Sequence, residues 1–454
     1  MKLYTAFFTL TAGILSCFSF QVFSQQTQPL VPGLVAQSQT VASGKGAANL
    51  FDQFFVPKTL RIDYFLAGDS ATETAYFREM IQEPFWGGPR HNTIDPFGYG
   101  TYRYSAYDSA SRQLIFTRGF SSLFQEWRGT DEAKKMKRAF PMTAVLPFPK
   151  NTIRFVIEKR SYTTNQFEVI FERFINPSDY FINRENIHPM KVTKYKDAGD
   201  PANHVDIAFI AEGYLAGDMD KFKADAARIS DYILSQEPYC QFADRFNFYT
   251  VEAPSDEAGV TIPGKDIFVN TSIHSSFYTF DMDRYLTTFD TKAIYDAAAN
   301  APYDAVFVLV NSKRYGGGGF YNHYCESTVD HQYSLFVAIH EFGHSFAGLA
   351  DEYYQSEVTY SDFYNLRFEP WEPNITTNVN FTSKWKSMID PQTPVPTPRD
   401  PKFANTIGMF EGGGYLSKGI YSPMMDCRMK SNEAKGFCPA CREGISKMIR
   451  FYCD

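Results

Sequence analysis

The 454-residue sequence has no long run of basic residues. Its 44 Lys and Arg are outnumbered by 51 Asp and Glu, for a formal net charge of -7 and a pI near 5.7. Nucleic acid is therefore not an expected partner, because neutralising phosphates requires clustered cations. The densest basic stretch, EAKKMKR at 132–138, also carries a glutamate and reads as a solvated helix face. After the first 24 residues, no apolar run reaches the roughly 20 residues that a membrane span needs. Internal repeats are absent. So are a G-x-S-x-G nucleophile elbow and a Lys-Ser/Thr pair behind the glycine run, which excludes the elbow-type serine hydrolases and a phosphate-cradling loop. Histidine is scarce as well, at eight residues.

What is present is ordinary for a globular chain: 44% hydrophobic and 21% charged residues. The aromatic share, 17% with 43 Phe and 29 Tyr, is high and suits an aromatic-rich core. Residues 1–24, MKLYTAFFTLTAGILSCFSFQVFS, place one Lys ahead of an apolar stretch, the pattern of a secretory signal. Cleavage after VFS leaves Gln25 first; the alternative, ILSC, makes Cys17 a lipidated residue. Either way the mature chain is expected outside the cytoplasm, as a periplasmic, cell-surface or secreted protein. Residues 25–35 read as a flexible leader. Beyond Cys17 there are six cysteines, and four of them, Cys427, Cys438, Cys441 and Cys453, fall in the last 28 residues. In an exported chain disulfides are the default expectation, with a four-cysteine zinc site as the alternative.

From 36 to 175 the pattern is strand-like. TLRIDYFL alternates Leu60, Ile62 and Tyr64 with polar neighbours, and TIRFVIEKR and QFEVIFERF alternate likewise across a short polar SYTTN, which predicts a hairpin. An all-β, sandwich-like domain is expected here. NPSDYFINRENIHP, 176–189, reads as a linker. From 190 to 454 buried strands such as VDIAFIAEGY and DAVFVLVN alternate with amphipathic helices such as DMDKFKADAARISDYILSQ, predicting an α/β domain.

The chemistry concentrates in HEFGHSFAGLADEYY, 340–354. Residues four apart share one face of a helix, so His340 and His344 can grip one zinc ion. Leu335, Ile339, Phe342 and Phe346 recur at helical intervals and support the helix. Glu341 then projects beside the metal, where it can accept a proton from the attacking water. In a chain with eight histidines, H-E-x-x-H arises by accident in on the order of one sequence in a hundred. Gly348 can take the left-handed conformation that ends a helix, turning the chain so that Asp351 supplies a third ligand.

This stretch resembles the signature of the bacterial IgA-peptidase family of zinc metallopeptidases, relatives of the metzincins. VDIAFIAEGYLAGDMDKFKADA, YGGGGFYNHY and YSPMMDCRMKS follow the order seen in that family, so the resemblance covers most of residues 190–454. It implies a zincin-like catalytic domain, a Zn²⁺ cofactor and a protein or glycoprotein substrate, with IgA the named example. Some members also carry a β-rich N-terminal domain. The wider metzincin pattern has its glycine and third ligand one residue nearer the second histidine. One extra residue rotates a helix by about 100°, and Asp351 keeps the glycine-to-ligand interval, so it is preferred over Glu352, which would orient a ligand or cap the loop. Met429 is favoured over Met424 and Met425 as the methionine beneath the zinc, and the C-x-x-C tail could staple that turn. The glycines of RYGGGGFYNHYC leave backbone groups with which an extended peptide could pair, or else form a flexible loop. His323 and His331 read as structural or rim residues, and a Cys325/His323 nucleophile is disfavoured. Two rival functions remain at this level: a surface glycan- or protein-binding module with a vestigial zinc site, and an exopeptidase or amidase with a closed pocket. Oligomeric state is not encoded in any of these signals.

Overall fold

Alternation of inward and outward side chains builds the first half of the chain. The computed structural model describes residues 50–185, 188–354 and 363–454; the expected signal, the leader and residues 36–49 lie outside the described residues. A short α1 (Leu50–Phe54) leads into β1 (Phe55–Gly68), β2 (Glu73–Glu83), β3 (Tyr102–Asp108), β4 (Leu114–Phe120), α2 (Leu123–Arg128), β5 (Arg138–Pro149), β6 (Ile153–Arg160), β7 (Phe167–Ile175) and β8 (Ile182–Asn183). These strands form two four-stranded sheets, ordered β5-β1-β2-β8 and β4-β3-β6-β7. Leu60, Ile62 and Leu66 of one sheet and Tyr104, Phe155 and Ile157 of the other belong to a single hydrophobic cluster. β6 and β7 form the antiparallel hairpin across residues 161–166. The segment read as a linker carries β8, which pairs in parallel with β2 through Met80 and Ile182.

The second half alternates strands with helices. In order come β9 (Lys191–Lys196), β10 (Val205–Glu212), α3 (Met219–Ser235), β11 (Phe246–Glu252), α4 (Thr291–Ala298), β12 (Ala305–Val310), β13 (Gly317–Gly319), β14 (Cys325–Thr328), α5 (Ser334–Ala347), β15 (Phe410–Gly413), β16 (Leu416–Ser422) and α6 (Pro439–Cys453). The sheet order is β13-β14-β12-β10-β11-β9. Its four inner strands run parallel and the two outer ones antiparallel to their neighbours. Every residue of β10 is buried, as a parallel strand covered on both faces requires. Ile207, Phe209 and Ala211 join a cluster with residues of α3, α5 and α6, while Ala208 and Ile210 join the cluster that holds α4 and the β-rich half. The described residues accordingly form one compact unit.

One polar device crosses that shared core. Arg61 on β1 is 1% exposed. Its guanidinium meets the Asp63 carboxylate at 2.9 and 2.7 Å and the Asp296 carboxylate, on α4, at 2.9 Å. Among the described residues no helix is long and apolar enough to cross a membrane.

Candidate active site

Helix α5 buries Ile339, Phe342 and Phe346 against the sheet, so the 3.6-residue period turns His340, Glu341 and His344 toward a cavity on the other side. The helix ends at Gly348, which is left-handed at φ 63°. Its N–H donates to the His344 carbonyl at 3.0 Å, and Leu349 N–H to the Gly343 carbonyl at 3.2 Å. The chain then doubles back and delivers Asp351. His340 Nε2 and His344 Nε2 lie 3.1 Å apart, and Asp351 Oδ1 lies 3.1 and 3.3 Å from them.

The outer ring nitrogens decide what those inner atoms are. His340 Nδ1 is 3.0 Å from the Arg428 carbonyl, and His344 Nδ1 is 2.5 Å from the Leu349 carbonyl. A carbonyl only accepts, so each Nδ1 carries a proton and donates it, leaving Nε2 as a lone pair in the neutral imidazole. Tyr415 O–H donates to Asp351 Oδ2 at 2.5 Å, whereas the buried Asp351 Oδ1 has no hydrogen-bond partner. Three lone-pair atoms facing one another at such separations need a cation or a proton between them. A tetrahedral ion with ligands at about 2.0 to 2.1 Å separates its donors by roughly 3.3 to 3.4 Å, so these residues fit a zinc ion. Burial opposes charge on His344, but the Asp351 carboxylate outweighs it and lifts the imidazole to about 9. Burial likewise lifts the Glu341 carboxyl above its ordinary value, with the two imidazoles pulling against it.

Glu352 turns away from the histidines. Its Oε1 lies 3.1 Å from Cys441 Sγ and accepts from Asn374 Nδ2 at 3.0 Å. Met429 is fully buried beneath α5, close enough that a Cβ added at Gly343 would stand 2.9 Å from its sulfur. Met424 is only partly buried. The cysteines depart from the disulfide expectation: all six are free thiols. Cys427 and Cys441 stand 3.7 Å apart, well beyond a bond of about 2.05 Å. Cys325 is buried against the Val306 carbonyl, and the buried His323 pairs its Nδ1 with the Tyr295 hydroxyl at 3.0 Å.

The glycine run forms strand rather than loop. β13 lies so close over α5 that a Cβ on Gly319 would stand 2.5 Å from the Glu341 carbonyl oxygen, and one on Gly317 2.9 Å from Glu341 Cγ. Only glycine allows that approach. The outer side of the strand is not fully open, since Tyr285 bridges to Gly317.

The cavity measures about 390 Å³. Besides the histidine helix and β13, it is lined by Ser121 and Glu126 from the β-rich half and by Trp371 and Tyr415. Burial lifts the Glu126 carboxyl to about 7, and its Oε2 accepts from the Tyr285 hydroxyl at 2.5 Å. Sequence reasoning did not single out Glu126, Asn374 or Tyr415. The one signal for Tyr415 was the EGGGY turn, in which Tyr415 adopts φ 66°.

A family model described as IgA Peptidase M64 matches residues 193–403 and 399–449, and one described as the peptidase M64 N-terminus matches residues 50–172. No curated protein matches the chain.

Proposed function

Because the chain belongs to the IgA peptidase M64 family of metallopeptidases, we propose that it is an exported zinc endopeptidase with a zincin-like catalytic half, cutting secreted proteins or glycoproteins. The observation that carries this reading is the meeting of His340 Nε2, His344 Nε2 and Asp351 Oδ1 at 3.1 to 3.3 Å beside Glu341 in one cavity. Zinc held by these three residues would supply the Lewis acidity that acidifies water and polarises a peptide carbonyl.

The chain's own groups do the rest. The Arg428 and Leu349 carbonyls hold a proton on each Nδ1 and aim both Nε2 atoms inward. Tyr415 occupies one Asp351 oxygen and leaves the other for the metal. Glu341 takes a proton from the attacking water and passes it to the leaving amine. Ser121 and Glu126 give the β-rich half a share of the wall against which substrate lies. IgA is a reasonable first substrate from the family's name alone, and the signal-like residues 1–24 support export.

The test compares the mature protein with Glu341→Ala, both shown to contain zinc, on IgA and a mixture of secreted glycoproteins, with sequencing of new termini. Internal cuts by the intact enzyme that fall by about 10²- to 10⁴-fold in the variant support the reading. If both zinc-loaded forms leave every protein whole, the binding-module alternative replaces it.

A further inference from the structure

A second group of metal-ligating side chains converges at the start of α6. Cys438 is the N-cap of that helix and Cys441 lies in its first turn, the C-x-x-C spacing that lets two thiols face one point. Cys427, which follows β16, brings its Sγ to 3.7 Å from that of Cys441. Glu352, arriving from the loop after α5, sets Oε1 3.1 Å from Cys441 Sγ and 3.6 Å from Cys438 Sγ. The four donor atoms lie within 4.8 Å of one another. Exposure is 0% for Glu352 and Cys441, 1% for Cys427 and 3% for Cys438.

These separations are those of ligands rather than of bonded or merely packed sulfurs. A tetrahedral zinc with sulfur at about 2.3 Å spaces its thiolates about 3.8 Å apart, and a thiolate from a carboxylate oxygen about 3.6 Å. Backbone N–H groups point at the sulfurs, from Cys438 to Cys427 Sγ at 3.2 Å and from Cys441 to Cys438 Sγ at 3.5 Å, an arrangement that favours thiolate. Asn374 fixes the Glu352 carboxylate through Oε1, yet the buried Oε2 has no hydrogen-bond partner. A dry cluster of three thiols and a half-satisfied carboxylate is costly as it stands and is resolved by a cation.

We propose that Glu352, Cys427, Cys438 and Cys441 hold a second, structural zinc ion that locks together the two chain segments framing the histidine site. The soft donor set suits zinc. Four protein ligands in a sealed position leave no place for substrate, which marks a structural site. Its relation to the histidines is one of adjacent residues. Asp351 faces the histidines and Glu352 the cysteines. Cys427 binds the second ion, Arg428 offers its carbonyl to His340, and Met429 fills the space under Gly343. Glu352 N–H closes the bracket on the Met429 carbonyl at 2.8 Å. The ion therefore holds in register the backbone that aims His340 and the loop that carries Asp351.

The test is a metal count and a spectrum on the full chain. Elemental analysis of the purified protein should find two zinc ions per chain, and one in the double variant His340→Ala/His344→Ala. After cobalt exchange, wild type and that double variant should both show the near-ultraviolet thiolate-to-cobalt charge-transfer band. Cys438→Ser/Cys441→Ser should lose the band, and Glu352→Cys should keep it with greater intensity. Where a cysteine variant fails to fold, the wild-type spectrum and the histidine variant still decide. A single ion per wild-type chain without the band, or a disulfide mapped among Cys427, Cys438 and Cys441, overturns the proposal. Neither result depends on whether the protein cuts any substrate.

Discussion

Tyr415 is bonded to an aspartate 64 residues away and decides which Asp351 oxygen stays free. Replacing it by Phe removes one hydroxyl and little volume. Groups that orient a metal ligand typically matter by about 10- to 100-fold in affinity or activity, so Tyr415→Phe should weaken zinc in chelator competition by that factor and leave the circular dichroism spectrum unchanged. Unaltered affinity would strip Tyr415 of this role. His323 carries a different prediction. Burial lowers its imidazole from 6.5 to about 3, so between those values the unfolded chain binds a proton that the folded chain refuses. The contribution is intact above about pH 6.5 and declines by about 1.4 kcal/mol per pH unit as pH falls toward about 3. Urea midpoints measured at about pH 7 and about pH 4 should converge more closely in His323→Asn than in wild type. At this scale the legible residues were those close in sequence: His340, Glu341, His344 and Asp351 lie on one helix and the turn after it. Tyr415 and Asn374 reach the same place through long-range contacts that no local spacing announces.

Strand β13 and helix α5 are fitted to one another by the absence of side chains. Gly319→Ala would drive a Cβ to 2.5 Å from the Glu341 carbonyl and 3.2 Å from His344 Cβ, so strand or helix must move. Such overpacking typically costs about 1 to 3 kcal/mol, and here it displaces Glu341 and His344, two of the residues to which the proposed function assigns the chemistry. Gly319→Ala should lower both the urea midpoint and kcat/KM. Gly217→Ala, where an added Cβ meets nothing within 4 Å, should change neither. Periodicity revealed α3, α5, β10 and β12, because each buries a regular face. It left RYGGGGF undecided between strand edge and loop, since the reason for those glycines is the helix packed across them. It also read 176–189 as a linker although β8 pairs there; two residues are too few to show a period. The described cysteines form no disulfide, and spacing could not show this, because it identifies which thiols are close in sequence and not how their sulfurs are set in space.

At the level of the whole molecule, the halves distinguished by sequence rhythm share a core, and Arg61 is the charge placed within it. Truncating it would strand the Asp63, Glu83 and Asp296 carboxylates around one buried point. Breaking a buried ionic cluster from one side typically costs about 3 to 5 kcal/mol, so Arg61→Ala should lower the unfolding free energy by that amount in urea titration, with a single transition for both halves. A loss under about 1 kcal/mol would mean that water reaches the site. Sequence reasoning separated a β-rich from an α/β stretch and, from the family resemblance, gave the first a part in positioning large substrates, but it named no residue there, because Ser121 and Glu126 lie in an unremarkable run far from any motif. Their position on the cavity wall divides labour along the chain. If the proposed function holds, the bond-breaking groups sit in one stretch and part of the surface that sorts incoming chains in another, so selectivity can drift in evolution while the histidine helix stays constant, and an inhibitor laid across the seam must satisfy both at once.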